Sequence, residues 1–347
     1  MKQIKKILII IKRSNGDVFL STPLINALYE YYNQPKIDLL VNEETQGIAK
    51  ILPHIDKIHT YAKSPKNITK LEQEKNIFKV IFRKYDLSIN LTSSDRTVLY
   101  ALLASSNSIS AVEKNSKKSW WKKILLTKNY TLDSNKHVVV NNCEPLKLLD
   151  IKIENIQVKM EITKSNIEKI KKKLVSNKIS DEFVVFHTSA QYDYKIYPTA
   201  LRNQLIELLS QAGISVIITG GDTLIDQKIS EELPKLDNVY NFIGETKLDE
   251  LLALIKLSKC YIGMDTLVMH MSASLDKPIF AIFGPSLPTM WGPWKNYDDQ
   301  VIKVFQANMS CVPCGLAGCD DKHGISECLY NISPKVIFEE VIKIVKK

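Results

Sequence analysis

Residues 7–18 read ILIIIKRSNGDV, an apolar run that ends in two basic residues and then Ser14-Asn15-Gly16-Asp17. Five consecutive large apolar residues predict a strand that is buried on both faces of a parallel sheet. Gly16 permits a tight turn after this strand, and Thr22 with Pro23 predicts the N-cap and first turn of a helix. The stretch therefore predicts the opening of an α/β domain, with polar residues at the strand end where such sheets bind ligands.

The same alternation of apolar runs and amphipathic stretches continues through both halves of the chain. The other runs that read as buried strands are residues 37–41, 86–91, 183–187, 214–219, 260–264 and 279–283. Strands that alternate with helices predict doubly wound parallel sheets. We expect an α/β protein with two Rossmann-like domains, residues 1–163 and 164–333, and a C-terminal helix at 334–347.

Composition limits the class of protein. The chain has 347 residues, of which 45% are hydrophobic and 24% charged, as in ordinary globular proteins. Its net charge of +9 favours anionic partners such as nucleotides or phosphorylated glycolipids. We find no nucleic-acid-binding motif, no signal peptide and no apolar stretch of the roughly 20 residues that span a bilayer. We therefore expect a cytoplasmic protein without a nucleic-acid partner, in contact with the cytoplasmic face of the inner membrane at most peripherally.

Asp17 is the first candidate for chemistry. After the Gly16 turn its carboxylate can project from the carboxyl end of the strand and accept a proton from a sugar hydroxyl. The structural alternative is that Asp17 only caps the following helix, and the dipeptide alone favours this alternative. Asn15 and Gly16 are the neighbouring candidates for contact with an acceptor.

A second set of polar residues follows the strands of the second half. Asp265 and Thr266 begin a helix, where a hydroxyl and backbone amides can face a diphosphate. Lys195 can neutralise the charge of a leaving diphosphate, although a solvated lysine is the commoner case. The other candidates for donor binding are Thr188, Ser189, Gly220, Gly221, Met264 and His270. Gly220-Gly221 resembles a phosphate-binding turn, but an ordinary strand-to-helix turn has the same sequence.

Taken together, these motifs resemble the ADP-heptose:lipopolysaccharide heptosyltransferases of glycosyltransferase family 9. The resemblance is carried, in chain order, by ILII with Gly16-Asp17-Val18 and Thr22-Pro23-Leu24, by Lys195-x-Tyr-Pro198, by Gly263-x-Asp265-Thr266-x3-His270, and by Phe283-Gly284-Pro285 with Trp291-Gly292-Pro293. The matches extend from residue 4 to residue 293, and the cysteine segment carries them to about residue 334.

This resemblance implies a GT-B fold, in which two Rossmann-like domains face each other across a cleft. It also implies inverting transfer of a heptose from ADP-heptose to a lipopolysaccharide inner-core acceptor. Asp17 matches the family's proposed base, and Lys195, Asp265, Thr266 and His270 match its donor-binding positions. No cofactor is required for this chemistry, and Mg²⁺ is an optional addition.

The segment from Lys117 to Leu126 is basic and aromatic. Tryptophans flanked by lysines are typical of a lipid headgroup interface, so Lys117, Trp120 and Lys122 are candidates for contact with a phosphorylated lipid acceptor. The alternative is one buried tryptophan in a helix whose surface carries lysines.

Four cysteines lie close together near the C-terminus, at Cys311, Cys314, Cys319 and Cys328. Four thiolates can hold zinc or iron as a structural site, so these residues are candidate metal ligands. Disulfide bonds and free thiols are the other two possibilities, and the sequence leaves all three open.

Other functions fit parts of the sequence. The sugar acceptor could be a protein or another surface-glycan precursor, and a non-catalytic sugar-nucleotide-binding protein would have the same donor residues. A Rossmann dehydrogenase fits worst, because its fingerprint needs three glycines after the first strand and residues 12–18 contain only Gly16.

Overall fold

The computed structural model describes residues 3–114 and 117–346. These residues form two compact units, one up to Gln157 and the other from Val158. The division predicted at 163/164 lies slightly later in the chain and stays a prediction. Lys347, the last residue of the predicted C-terminal helix, lies outside the described residues.

The first unit is a parallel sheet with helices on its faces. Its strands are β1 (Lys6–Ile11), β2 (Lys36–Asn42), β3 (Ile55–Tyr61), β4 (Leu87–Asn90), β5 (Ser108–Val112) and β6 (Lys128–Thr131). Its helices are α1 (Asn15–Phe19), α2 (Thr22–Tyr31), α3 (Gln46–Ala49), α4 (Lys70–Ile81), α5 (Asp95–Ala104), α6 (Trp120–Leu125) and α7 (Val138–Leu148). The strand order is β3-β2-β1-β4-β5-β6, and every pairing is parallel.

The second unit repeats this design. Its strands are β7 (Phe183–His187), β8 (Ser215–Thr219), β9 (Val239–Asn241), β10 (Tyr261–Met264), β11 (Ile279–Phe283) and β12 (Ile302–Gln306). Its helices are α8 (Lys164–Ser176), α9 (Thr199–Gln211), α10 (Leu224–Glu231), α11 (Leu248–Leu257), α12 (Leu267–Ala273), α13 (Pro288–Trp291), α14 (Glu327–Tyr330) and α15 (Pro334–Val345). The order β12-β11-β10-β7-β8-β9 is again entirely parallel.

Burial explains why these segments form central strands. Residues 7–11 of β1 are completely buried, and Ile9 pairs with Leu39 on one side and Ile89 on the other. Each such side chain stabilises the fold by about 1.5–3 kcal/mol through removal from water. In the second unit, Ile337 and Val341 of α15 are equally buried, and this helix packs on α9. The last helix is therefore part of the second unit's core.

Each sheet has one point at which the strand order reverses. In the first unit this point lies between β1 and β4, and in the second between β7 and β10. Helices leave opposite faces of the sheet at such a point, which opens a crevice at the carboxyl ends of the strands. The topology thus marks one expected ligand site in each unit.

The start of α2 differs from the sequence prediction. Ser21, not Thr22, is the N-cap residue, and Thr22 is the first residue of the helix. The Thr22 hydroxyl donates to the Phe19 carbonyl oxygen at 2.6 Å. The preceding residues form α1, a five-residue helix that the apolar pattern did not predict. In the described part of the chain, no helix is both long enough and apolar enough to span a bilayer.

Candidate active site

Asp17 lies in α1, directly after the carboxyl end of β1, and is buried. Its Oδ2 accepts hydrogen bonds from the Ser14 amide at 3.2 Å and the Ser14 hydroxyl at 2.7 Å. Its Oδ1 lies 3.3 Å from Nη1 of Arg13. The capping role considered from the sequence is thus present, and it fixes the carboxylate while Oδ1 faces a guanidinium group.

Hydrogen bonds from the neighbouring strands hold the loop before Asp17. The Lys12 amide donates to the Thr92 hydroxyl after β4 at 3.1 Å. On the other side, the Asn42 side chain at the end of β2 donates to the Arg13 carbonyl oxygen at 3.1 Å. The loop is therefore fixed at the reversal point between β1 and β4.

Lys12 and its neighbours form a cationic cluster that the sequence analysis missed. The Lys12 ammonium lies 3.2 Å from the centroid of the Tyr61 ring, and the Arg96 guanidinium carbon lies 5.0 Å from it. Burial lowers the pKa of Lys12 to about 8, and the charges of Arg96 and Lys63 add to this effect against that of Glu74. An anion at this cluster would relieve the repulsion. The sequence does contain a signal for this cluster. One basic residue follows β1, a second follows β3, and a third lies at the start of α5.

Lys122 occupies a place different from the one predicted. Its side chain is only 1% exposed, and its ammonium group lies 2.7 Å from Asp95 and 2.9 Å from Glu113. It also donates to the Ser93 carbonyl oxygen at 2.6 Å. Burial alone would lower the pKa of Lys122, but the hydrogen bonds to the two carboxylates raise it. The ammonium group of Lys122 is buried in the first unit and paired with these two carboxylates. We therefore do not retain Lys122 as an acceptor contact.

Trp120 and Lys117 do lie at the surface, and Trp120 is 64% exposed. Trp121 is the tryptophan that packs inward, against Val98, Val112 and Leu126. The segment therefore combines both alternatives, one tryptophan in the core and one facing solvent.

The second unit places Lys195 and Asp265 in contact. Their Nζ and Oδ2 atoms are 2.6 Å apart, and the Asp265 side chain is buried. Thr266 follows as the N-cap residue of α12, and His270 lies buried on the same helix. Lys195 and Asp265 neutralise each other here, so a diphosphate that reached Lys195 would have to share or replace this carboxylate.

Gly263 has no side chain, which leaves room for the hydroxyl group of Tyr261. A Cβ atom at this position would overlap the Tyr261 hydroxyl and lie 2.9 Å from the His187 carbonyl oxygen. Burial raises the pKa of Tyr261, and the neighbouring Thr266 hydroxyl partly offsets the increase. Glycine is therefore needed here for packing, because any larger residue would displace Tyr261.

Gly220 and Gly221 form a turn that already contains a carboxylate. Asp226 is buried, and its Oδ1 accepts a hydrogen bond from the Gly221 amide at 2.8 Å. Its Oδ2 accepts from the Thr223 amide at 2.9 Å and the Thr223 hydroxyl at 2.6 Å. A Cβ atom at Gly220 would lie 2.8 Å from Asp226, which explains the need for glycine. The amide that a phosphate would use is occupied, so this turn has the ordinary structural role.

Several buried side-chain oxygens at the reversal points have no hydrogen-bond partner within the described ranges. They include Oδ1 of Asn15 in the first unit and Oγ1 of Thr188 and of Thr266 in the second. Buried polar atoms are nearly always hydrogen-bonded, so each is a position where a bound molecule would supply the missing partner. Ser189 next to Thr188 differs, since its side chain is bonded to Asp226. Met264 is fully buried at the end of β10.

The cysteine segment approaches the Lys195 loop through aromatic rings. The His323 ring centroid lies 5.0 Å from that of Tyr192 and 5.7 Å from that of Tyr194. Cys311, Cys314 and Cys319 are exposed, Cys328 is buried, and all four are free thiols. Thiolates suit zinc or iron, but no three potential ligands in residues 3–114 and 117–346 are grouped to hold a metal ion. The disulfide alternative is absent from this structure, and the metal alternative stays a prediction.

Comparison with known proteins agrees with the fold. Lipopolysaccharide heptosyltransferase 3 of Escherichia coli strain K12 is 26% identical over 309 residues, which cover 87% of this chain and 88% of that protein. The crystal structure of a family 9 glycosyltransferase from Veillonella parvula superposes with a TM-score of 0.76 at 20% identity, covering 100% of this chain and 99% of that one. An E. coli heptosyltransferase solved with ADP-2-deoxy-2-fluoro heptose gives a TM-score of 0.70 at 17% identity, covering 97% and 99%.

The likeness to solved heptosyltransferases over the whole chain confirms the predicted GT-B fold class. The sequence pattern of glycosyltransferase family 9 (heptosyltransferase) matches residues 76–323, which is most of the chain. The predicted glycosyltransferase class is thereby confirmed, and a dehydrogenase is excluded. The chain belongs to glycosyltransferase family 9 (heptosyltransferase).

Proposed function

We propose that this protein transfers a heptose from ADP-heptose to an inner-core acceptor of lipopolysaccharide, with inversion at the anomeric carbon. The names of its relatives support this choice, since one is a lipopolysaccharide heptosyltransferase and another was solved with an ADP-heptose analogue. The observation that carries the proposal is that the two reversal points bear different chemistry. The first holds a buried carboxylate at Asp17, and the second holds a lysine–carboxylate pair at Lys195 and Asp265.

Each group has one role in the proposed mechanism. Asp17 accepts the proton of the acceptor hydroxyl as its oxygen attacks the anomeric carbon from the face opposite ADP. The bond between that carbon and the diphosphate oxygen breaks, and ADP leaves with the negative charge. Lys195 stabilises this charge, with Asp265 as its resting partner. Thr188, Thr266 and His270 would contact the donor, while Asn15 and Gly16 would contact the acceptor.

The acceptor is anchored in a membrane, so we place the reaction in the cytoplasm at the inner-membrane face. Its phosphates would be met by the cationic cluster of Lys12, Lys63 and Arg96. Lys117 and Trp120 would contact the phosphorylated lipid part of the acceptor. No step of the proposal requires a metal ion.

Raising the pH through about 8 is expected to lower kcat/KM for the phosphorylated acceptor by about tenfold, because Lys12 then loses its charge. The same depressed pKa makes folded Lys12 release its proton before the unfolded chain does. Its contribution to stability therefore rises with pH between about 8 and 10.5. Acceptor kinetics across this range measure the first effect, and thermal unfolding measures the second.

Lys12→Arg is the matched control, since a guanidinium group stays charged over this range. The variant is expected to keep its acceptor kinetics above the pH at which the wild type loses them. If both proteins show the same pH profile, Lys12 is not the group that binds the acceptor.

The proposed function is tested by incubating the purified protein with ADP-heptose and three acceptors separately. These are lipid A carrying a truncated inner core, a protein, and an O-chain precursor. We expect mass spectrometry to find one added heptose on the truncated core alone, and NMR to find an anomeric configuration opposite to that of the donor. Heptose on the protein or the O-chain precursor would contradict the proposed acceptor. ADP binding without transfer to any of them would indicate a non-catalytic protein.

A further inference from the structure

Three helices of the first unit lie side by side on one face of its sheet. Helices α4, α5 and α6 connect β3 to β4, β4 to β5 and β5 to β6, and these three connections all run in the same direction across the sheet. Right-handed crossovers in one direction place their helices on the same face. In agreement, α5 packs against both α4 and α6.

The outer surface of these helices exposes large apolar side chains with lysines between them. We call these apolar residues and lysines together the basic helix face. The apolar members are Leu71, Phe78, Phe82, Leu99, Trp120, Ile124 and Leu125, and the lysines are Lys75, Lys79 and Lys123. Ile124 is 70% exposed, although it is purely aliphatic. Apolar side chains grouped on one surface are typical of a binding face.

A groove between α4 and α5 continues this surface. It has a volume of about 440 Å³ and is lined by Phe78, Tyr100 and Leu103 together with Glu74, Lys75 and Lys79. The rings of Phe78 and Phe82 stack beside it, with centroids 4.6 Å apart. The basic helix face thus offers both protruding apolar side chains and a depression that an acyl chain could enter.

The charges of the basic helix face are unbalanced. Three of its carboxylates are paired with cations: Glu74 bonds to Arg96 and Tyr100, while Asp95 and Glu113 bond to the buried Lys122. The fourth, Glu72, accepts hydrogen bonds from Thr69 at the start of α4. In contrast, none of Lys75, Lys79 and Lys123 forms an ion pair with a carboxylate in the described part of the chain. Among the described residues, the lysines without a carboxylate partner therefore outnumber the one carboxylate without a cation, Glu72, and the face carries an excess of positive charge.

We propose that the basic helix face docks on a bilayer containing anionic phospholipids. Its lysines would meet lipid phosphates, and Trp120, Ile124 and Phe78 would enter the boundary between headgroups and acyl chains. A second copy of the chain fits less well, because two positive faces repel each other. Docking does not depend on the proposed transfer reaction, and Trp120 is the one residue of this face that is also assigned to the acceptor.

The position of the face connects it with the acceptor side. Helices α4, α5 and α6 begin after the carboxyl ends of β3, β4 and β5, the same edge of the sheet that bears Asp17. Their first turns, including Leu71 and Trp120, therefore lie toward that edge. A docked bilayer would present lipid-anchored molecules to the edge at which Asp17 lies.

Co-sedimentation with vesicles tests the proposal without donor or acceptor. We compare vesicles of phosphatidylcholine alone with vesicles that also contain phosphatidylglycerol. The wild type is expected to bind the mixed vesicles and to be released by high salt. The Lys75→Glu, Lys123→Glu double variant is expected to bind them more than about tenfold more weakly. The Phe78→Ser, Ile124→Ser double variant is expected to lose binding as well, at unchanged net charge.

Matched controls lie in the second unit. Lys235→Glu with Lys335→Glu changes the net charge equally, and Val175→Ser with Leu224→Ser removes side chains that are 76% and 84% exposed. Both controls are expected to bind vesicles like the wild type, and thermal unfolding checks that all variants are folded. Equal binding by the face variants and the controls would overturn the proposal. So would loss of self-association, measured by sedimentation, in place of loss of vesicle binding.

Discussion

Asp17→Asn is expected to lower kcat by about 10²–10⁴-fold, the usual contribution of a general base. The amide has nearly the same shape as the carboxylate, but it cannot accept the proton of the acceptor hydroxyl. Affinity for ADP should stay unchanged, because ADP is assigned to residues of the second unit. Single-turnover kinetics with ADP-heptose, together with calorimetry for ADP, would measure the two quantities separately.

Ser14→Ala is the control that separates catalysis from capping. It removes the 2.7 Å hydrogen bond to Asp17 while leaving the carboxylate in place. Its expected cost is roughly 1 kcal/mol of stability, as for other N-caps, with little effect on kcat. If Ser14→Ala and Asp17→Asn lower kcat equally, then Asp17 acts only by shaping the loop.

Lys195→Met is expected to lower kcat by about 10²–10³-fold, the size of effect seen when one group that stabilises a leaving charge is removed. It also leaves Asp265 buried without its cation, 2.6 Å from where the ammonium group lay. The fold should then lose roughly 1–3 kcal/mol in addition, because a buried acceptor without a partner keeps its desolvation cost. Steady-state kinetics and denaturant unfolding measure these two losses.

The double variant Lys195→Met, Asp265→Asn tells the two losses apart. It removes the unpaired charge, so we expect its stability to return toward that of the wild type. Its activity should stay low, since no cation meets the diphosphate. Activity that recovers along with stability would contradict the leaving-group role and leave Lys195 as a partner of Asp265 only.

The fold was predictable because it depends on local patterns. The apolar runs at residues 7–11 and 183–187 are buried on both faces, as continuous apolar strands must be in a doubly wound sheet. Helix α12 likewise begins after Thr266, as its capping residue indicates. The short helix α1 was missed, since five residues are too few to show a helical period.

The candidate site was less predictable, because its chemistry depends on partners far away in the chain. Lys122 looks like a surface lysine until Asp95 and Glu113 surround it. Lys12 acquires its lowered pKa through burial and through Arg96 and Lys63, which follow other strands. The Lys195–Asp265 contact likewise joins residues 70 positions apart. No spacing rule along one segment encodes such contacts.

Asp226 bears on how genomes are searched for nucleotide-binding loops. A glycine pair after a strand resembles such a loop. Here, however, the side chain of Asp226, five positions after Gly221, occupies the loop and accepts the hydrogen bond of the Gly221 amide. The filled loop holds a permanent internal anion, so it would turn away an incoming phosphate group. A search that penalises an aspartate at this offset would therefore score this turn lower than glycine content alone does.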